Sequence, residues 1–220
     1  MALTYTRARE RMIQEQLVKR GLTDPLVLAA MGRVPRHLFV EDSLRDRAYD
    51  DHPLPIGEGQ TISQPYMVAL MAETLKLAEG EKVLEVGTGS GYLAAVLAEQ
   101  DVQVCSIELS ERLAEQARVT LHVLGYHDVT VHSGDGTLGW PAEAPFDAIV
   151  VGAAAPCLPR PLLDQLRLGG RLVIPMGEEE LQTLVRVWKE PNGLREEYFG
   201  ECRFVKLNGA YGWESYRSTE

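Results

Sequence analysis

The sequence is poor in the residues that most directly announce a function. It holds three cysteines in 220 residues, Cys105, Cys157 and Cys202, far apart and with no CxxC pair. Neither a disulfide framework nor a metal site is therefore expected. No apolar run approaches the roughly 20 residues that span a bilayer. The opening stretch MALTYTRARERMIQEQL is charged from residue 7 onward and lacks the apolar segment of a signal peptide. The expected location is cytoplasmic, with no membrane partner. Basic residues are also scarce: 22 Lys and Arg stand against 32 Asp and Glu, a net charge of −10. A nucleic-acid partner, which calls for clustered cations to displace phosphate counterions, is not expected. The short TRARER reads as a solvated helix face. The five histidines are scattered, and no Ser–His or His–Asp constellation is evident. Only His52 falls in a loop where a functional role is worth testing. Asparagine occurs twice, at Asn192 and Asn208, each time before glycine, a pairing that turn chemistry explains.

What is present is ordinary for a globular chain: 45% hydrophobic and 25% charged residues. Residues 5–31 read as helices, with TDP at 23–25 as a cap. Pro/Gly punctuation makes RVPRHLFVED and AYDDHPLPIGEGQ a loop-rich connection. In SQPYMVALMAETLKL, Met67, Leu70, Met71 and Leu75 share one helical stripe behind Pro65 in the first turn. Strands and helices then alternate: strands at 82–86, 102–108, 129–134, 146–153 and 170–176, with helices at 90–99, 110–124 and 159–167. Continuous apolar strands separated by helices signal a parallel sheet covered on both faces. The sequence LQTLVRVWKE-PNG-LREEYFGECRFVKL reads as two long strands turning at Asn192-Gly193. The expected fold is α/β, a doubly wound, mostly parallel Rossmann-like sheet ending in an antiparallel hairpin, with an N-terminal helical extension. A single domain over 1–220 is expected: an extension with substrate loop (1–80), a binding core (81–177) and a hairpin with tail (178–220).

The stretch KVLEVGTGSGYLAA, from Lys82 to Ala95, decides the ligand class. A P-loop needs Lys-Ser/Thr after its last glycine, and Tyr92-Leu93 stands there. A dinucleotide fingerprint begun at Gly87 would place its third glycine where Tyr92 is. The actual pattern is E-x-G-x-G-x-G, made by Glu85, Gly87, Gly89 and Gly91 with Thr88 between, and it resembles the S-adenosylmethionine loop of Rossmann-like methyltransferases. That cofactor has no phosphate and carries a cationic sulfonium, so its methionine arm passes close over backbone that side chains would obstruct. Glu108, about 20 residues on, with Leu109 beside it, is placed to accept ribose hydroxyls, as the same acid does in NAD sites. In SGDGTLGW, Asp135 and Gly136 suit the adenine amino group and ring. The alternative is that these are turn residues only.

Three methyl-transfer chemistries leave different marks after the fourth strand of the alternation. The [DN]-P-P-[YFW] of amine methylation is absent; VGAAAP stands there. Pro156-Cys157 would suit cytosine-C5 methylation of RNA, where a thiolate must first add to the ring, but AAAPCLP lacks the flanking acid. A carboxylate acceptor needs no general base; alignment and exclusion of water supply most of the rate.

Beyond the general loop, VPRHLFV, AYDDHPLPIGEGQTISQPYMVALM, VLEVGTGSGYLAAVLA, GDGTLGW, FDAIVVGAAAP and LRLGGRLVIPMG closely resemble the protein-L-isoaspartate O-methyltransferase family, from about residue 10 to 177, with an echo in FVKLNGAYGW. Its distinguishing signature is T-I-S-x-P, Thr61 to Pro65. Where some members have Ala-Pro-His after the serine, this chain has Gln64-Pro65-Tyr66, so any role of a histidine there does not transfer. The resemblance implies methyl transfer from S-adenosylmethionine, leaving S-adenosylhomocysteine, to the free α-carboxyl of L-isoaspartyl residues in damaged proteins and peptides. The ester then closes to a succinimide, whose hydrolysis returns some normal aspartate. It implies Ser63 as the active-site residue donating a hydrogen bond to that carboxylate, with Thr61 and Ile62 beside it in substrate binding. On spacing alone Ser63 reads first as a cap of the helix beginning at Gln64 or Pro65, and the functional role comes from the resemblance. Residues 52–63 form the expected lid. A methyltransferase for a small carboxylate or hydroxyl compound, and a non-catalytic binding module, are the alternatives.

Overall fold

The computed structural model describes residues 2–213 of the 220; the last part of the tail expected at 178–220 lies outside the described residues. Helix α1 (Ala2–Met12) runs on through a π turn at Ile13–Leu17 and a 3-10 turn at Val18–Arg20, and stops where Gly21 takes φ 92°. Helix α2 (Pro25–Arg33) starts as TDP requires: the Asp24 carboxylate accepts from the Leu26 and Val27 amides, and Pro25 occupies the first turn. Two 3-10 segments, Arg36–Leu38 and Asp42–Arg47, follow.

The loop expected around residues 52–63 contains a small antiparallel hairpin, β1 (Leu54–Gly57) with β2 (Gln60–Ile62). Its strands are too short for an alternation to register, and Pro55 lies within one of them. The tip closes through three consecutive positive-φ residues, Gly57, Glu58 and Gly59. Helix α3 (Pro65–Leu75) follows directly.

The main sheet contains β3 (Lys82–Val86), β4 (Gln103–Glu108), β5 (Thr130–Ser133), β6 (Phe146–Val151), β7 (Leu166–Gly177), β8 (Gln182–Glu190) and β9 (Gly193–Cys202), in the spatial order β5-β4-β3-β6-β7-β8-β9. All pairings from β5 to β7 are parallel; β7–β8 and β8–β9 are antiparallel. This is the Rossmann-like sheet with a terminal hairpin that the alternation predicts. Helices α4 (Tyr92–Ala98), α5 (Glu111–Val123, capped by Ser110) and α6 (Arg160–Gln165) connect the strands. Helix α6 ends earlier than expected because Leu166 already pairs with Phe146.

Successive residues of a strand face opposite sides, and β3 divides accordingly. Val83 joins the layer containing Met31, Met71 and Leu97, while Leu84 and Val86 join the layer containing Ile149, Leu162 and Leu207. At the base, Arg171 of β7 donates to the carbonyls of Leu75 and Lys76, and Arg186 of β8 to that of Thr74, so two cations satisfy the carbonyl end of α3. Among the described residues, no helix is long and apolar enough to cross a membrane.

Candidate functional site

The order of the sheet reverses between β3 and β6, and ligands of open α/β sheets bind outside the carboxyl ends of the strands at such a point. A cleft lies there. Gly87, Gly89, Glu108, Leu109 and Gly136 line its outer part, together with Gln60 and Thr61 of the hairpin. Its recess is lined by Thr61, Ile62 and Ser63 together with Glu85, Gly87, Thr88 and Gly89. Sequence and fold thus bring the glycine loop and the T-I-S segment to the lining of one space.

Two expected residues face elsewhere. Gly91, at φ 87°, lines neither part; a Cβ there would stand 3.2 Å from the Leu121 side chain, so its bareness serves the packing of the loop on α5. The Asp135 carboxylate accepts from the Thr137 amide (2.9 Å) and hydroxyl (2.6 Å) through one oxygen, and from the Ala210 amide (2.7 Å) through the other. It ties down the segment after β9, and Gly136 rather than Asp135 lines the cleft. Gly136 is there because a Cβ would fall 2.6 Å from Val86 Cγ1.

The two glutamates of the loop are placed differently. Glu108 is hydrogen-bonded on both oxygens, from Gly89 N (2.8 Å) and Ser110 N (3.0 Å), and holds the glycine loop to β4. Each oxygen keeps a further lone pair for a ligand hydroxyl. Glu85 is fully buried; Ser106 Oγ donates to Oε2, the Thr88 hydroxyl lies 2.5 Å from that Ser106 oxygen, and Oε1 has no hydrogen-bond partner among the described residues. Burial pushes its carboxyl up to about 8, against the opposing hydrogen bond from Ser106.

Ser63 sits half-buried just before α3. The cap position belongs to Gln64, which makes no side-chain cap bond, and among the described residues the Ser63 hydroxyl makes no hydrogen bond at all. The capping alternative for Ser63 is therefore not realised. Its carbonyl accepts from Arg36 Nη2 at 2.7 Å. Gln64 donates to Asp51 (2.8 Å), and Arg20 stacks 3.3 Å above the Tyr66 ring that replaces the histidine of some family members. The hairpin closes over the loop, with Ile56 Cδ1 3.3 Å from where a Gly89 Cβ would be and Glu58 paired to Arg112 of α5 at 3.0 Å.

Other residues weighed in the sequence lie outside this space. His52 bonds to Arg47 and to the Pro53 carbonyl in an exposed loop. Cys157 is exposed and does not line the cleft, whereas Cys105 and Cys202 are buried. Sequence reasoning missed Gly152 and the Lys206–Asn208 segment, which line the outer cleft, and Arg36. The FVKLNGAYGW echo was the available signal for the second of these.

Comparison with known proteins agrees with the geometry. A profile described as Protein-L-isoaspartate(D-aspartate) O-methyltransferase (PCMT) matches residues 7–212. The chain is 56% identical over 212 residues to Protein-L-isoaspartate O-methyltransferase 1 of Syntrophobacter fumaroxidans, covering 96% of this chain and 99% of that one. It is 57% identical over 208 residues to Protein-L-isoaspartate O-methyltransferase 2 of Geotalea uraniireducens, covering 94% and 95%. Among solved structures it is similar to a protein-L-isoaspartate O-methyltransferase, with a TM-score of 0.85 and 32% identity over 96% of this chain and 69% of that chain. It is also similar to a Plasmodium falciparum protein described as a putative member of that group, in complex with S-adenosyl-L-homocysteine, with a TM-score of 0.76 and 28% identity over 93% and 98%. The chain belongs to the protein-L-isoaspartate(D-aspartate) O-methyltransferase family.

Proposed function

We propose that Ser63 holds the α-carboxylate of an L-isoaspartyl residue across from the glycine loop while that carboxylate is methylated. The chain is a protein-L-isoaspartate O-methyltransferase, as its family and its near full-length relatives are named, and its cofactor is S-adenosylmethionine, whose product S-adenosyl-L-homocysteine is bound in the related Plasmodium falciparum structure; its role is protein repair. The observation that carries the reading is the Ser63 hydroxyl, free of any cap bond and lining the same recess as Glu85, Gly87 and Gly89.

The residues present fit the cofactor. The unpartnered Glu85 oxygen lies beside the recess and suits the α-ammonium of a methionine moiety. Glu108 suits a ribose diol, the exposed Leu109 offers an apolar face to an adenine ring, and Gly136 leaves that face unobstructed. Gly87 and Gly89, both at positive φ, present bare backbone to the ligand. Thr88 holds Ser106 against Glu85. Gly91 and Asp135 support the site from behind, by packing and by anchoring the 208–211 segment. The bound cofactor supplies an electrophilic methyl group on a sulfonium.

The protein's own part is placement. A carboxylate is already nucleophilic, so no side chain needs to take a proton. The Ser63 hydroxyl donates to one carboxylate oxygen and leaves the other to attack. Thr61 and Ile62 form the adjoining wall, and the β1–β2 hairpin shields the reacting atoms from water. We assign the partners as isoaspartyl-bearing proteins and peptides, without a nucleic-acid or membrane partner, and the location as cytoplasmic; the net charge of −10 supports the absence of a nucleic-acid partner. We also treat residues 1–80, 81–177 and 178–220 as parts of one domain. Support comes from a single apolar layer that packs Met31, Val83 and Leu184 together.

Purified protein with labelled S-adenosylmethionine, offered matched peptides bearing isoaspartyl, aspartyl or asparaginyl at one position, tests the assignment. Label should enter the isoaspartyl peptide alone. Equal labelling of the aspartyl peptide, or labelling of none, overturns it.

A further inference from the structure

Three arginines are almost wholly removed from solvent: Arg36, Arg171 and Arg186. Burying a guanidinium is costly unless an anion accompanies it. Arg171 is paired with Glu81 and Arg186 with Glu197. Arg36 has no carboxylate partner among the described residues. Its Nε donates to the Ala48 carbonyl at 2.7 Å and its Nη2 to the Ser63 carbonyl at 2.7 Å. Its guanidinium lies 4.8 Å from the centre of the Tyr92 ring, and Nη1 is buried with no hydrogen-bond partner among the described residues. Burial draws this group down to about 10, which still leaves it cationic at neutral pH. A cation near the start of α3 is also on the unfavourable side of the helix dipole. Two carbonyls and the Tyr92 ring face the guanidinium, but no carboxylate among the described residues neutralises it; it is bonded to the peptide unit of Ser63, and Tyr92 and Ser63 line the same recess.

We propose that Arg36 is a positioning residue for the substrate: it fixes the peptide plane that carries the Ser63 hydroxyl, and it supplies an unneutralised buried positive charge that favours an anionic α-carboxylate in the recess over a neutral group of the same shape. This rests on the assignment of Ser63 to the carboxylate. The charge acts without direct contact, through a medium that screens far less than water does. An arginine kept only to bridge the Ala48 and Ser63 carbonyls would not distinguish ligands by charge.

The test compares affinities of an isoaspartyl peptide and its α-carboxamide counterpart for enzyme saturated with S-adenosylhomocysteine. Wild type should prefer the carboxylate by about tenfold, or about 1.4 kcal/mol. In Arg36→Met the preference should fall to within about threefold of unity while S-adenosylhomocysteine still binds normally; Arg36→Lys should retain most of it. Thermal melts establish that each variant is folded. The wild-type preference should also survive a rise from about 50 to about 500 mM salt, because buried charges are poorly screened. Folded Arg36→Met that keeps the full preference overturns the proposal. So does a wild-type preference that salt abolishes, which would assign it to surface cations such as Arg20; this measurement stands even if Arg36→Met does not fold. Absence of any preference in wild type overturns this proposal as well; the role given to Ser63 is read separately, from the turnover of Ser63→Ala.

Discussion

The two ends of helix α3 treat buried charge in opposite ways. At the carbonyl end, Arg171 and Arg186 cap Thr74, Leu75 and Lys76 and are each matched by a carboxylate. Burial alone would raise Glu81, but hydrogen bonds from Arg171 and the Ala78 amide outweigh it and hold that carboxyl below its usual range. Glu197 is drawn down to about 2 by the Trp188 ring N–H and by Arg186. At the amide end, among the described residues, Gln64 provides no side-chain cap, the Ser63 hydroxyl is unused, and Arg36 has no anion. One end is complete as folded. The other lacks a negatively charged partner, and a carboxylate substrate provides one. Where a buried charge is balanced within the chain it reads as architecture; where it is not, it marks a place for a ligand.

The largest effect should come from breaking the balanced end. Arg171→Met leaves Glu81 and two carbonyls without their partner and should cost about 3–5 kcal/mol, with the folded fraction still binding S-adenosylhomocysteine. A loss under about 1 kcal/mol in denaturant titration would remove the distinction between the ends. Next is Glu85, whose carboxyl is raised to about 8 by burial. It stays protonated in the fold while ionised in the unfolded chain between its ordinary range and that value, so its contribution is fully present at low pH and is lost as pH rises through the window. Glu85→Gln should therefore gain stability relative to wild type on going from about pH 5 to about pH 8, by a few kcal/mol at most, and should weaken cofactor binding. Parallel stability profiles for the two proteins would exclude this.

Ser63→Ala sharpens the open end. Losing a hydrogen bond to a charged substrate should lower turnover about 10- to 100-fold, with S-adenosylhomocysteine affinity unchanged. Because no cap bond is lost, stability should shift by less than about 0.5 kcal/mol; a drop of about 1 kcal/mol with turnover near wild type would return Ser63 to a capping role. The smallest effect belongs to the hairpin tip. Glu58→Ala removes an exposed pair with Arg112 and should cost less than about 1 kcal/mol. It should also speed release of S-adenosylhomocysteine in stopped-flow displacement, and an unchanged rate would show that the hairpin does not act as a lid.

Much of the fold was legible because its signals are local. The apolar run of β6 is buried at every position, as an interior parallel strand requires. Asp24-Pro25 and Pro65 mark helix starts by chemistry confined to one turn. The β1–β2 hairpin was not legible, since its pairing depends on positive φ at three adjacent residues rather than on any apolar pattern. The end of α6 was misjudged for a related reason: Leu166 is taken into the sheet by Phe146, a partner distant in sequence.

The site divides along the same line. By itself the amino-acid sequence determined the parallel sheet, the bare-backbone loop from Gly87 to Gly91, the acids at Glu85 and Glu108, and the hydroxyl at Ser63, because each is set by residue type and short spacing. Only the tertiary structure decided which of these face the cleft. It turned Asp135 toward Ala210, 75 residues away, released Ser63 from the helix end, and buried Arg36 against a carbonyl 27 residues on, with no anion beside it among the described residues. The reason is physical: hydrogen-bond partners and the balance of buried charge come from chain segments that meet only after folding.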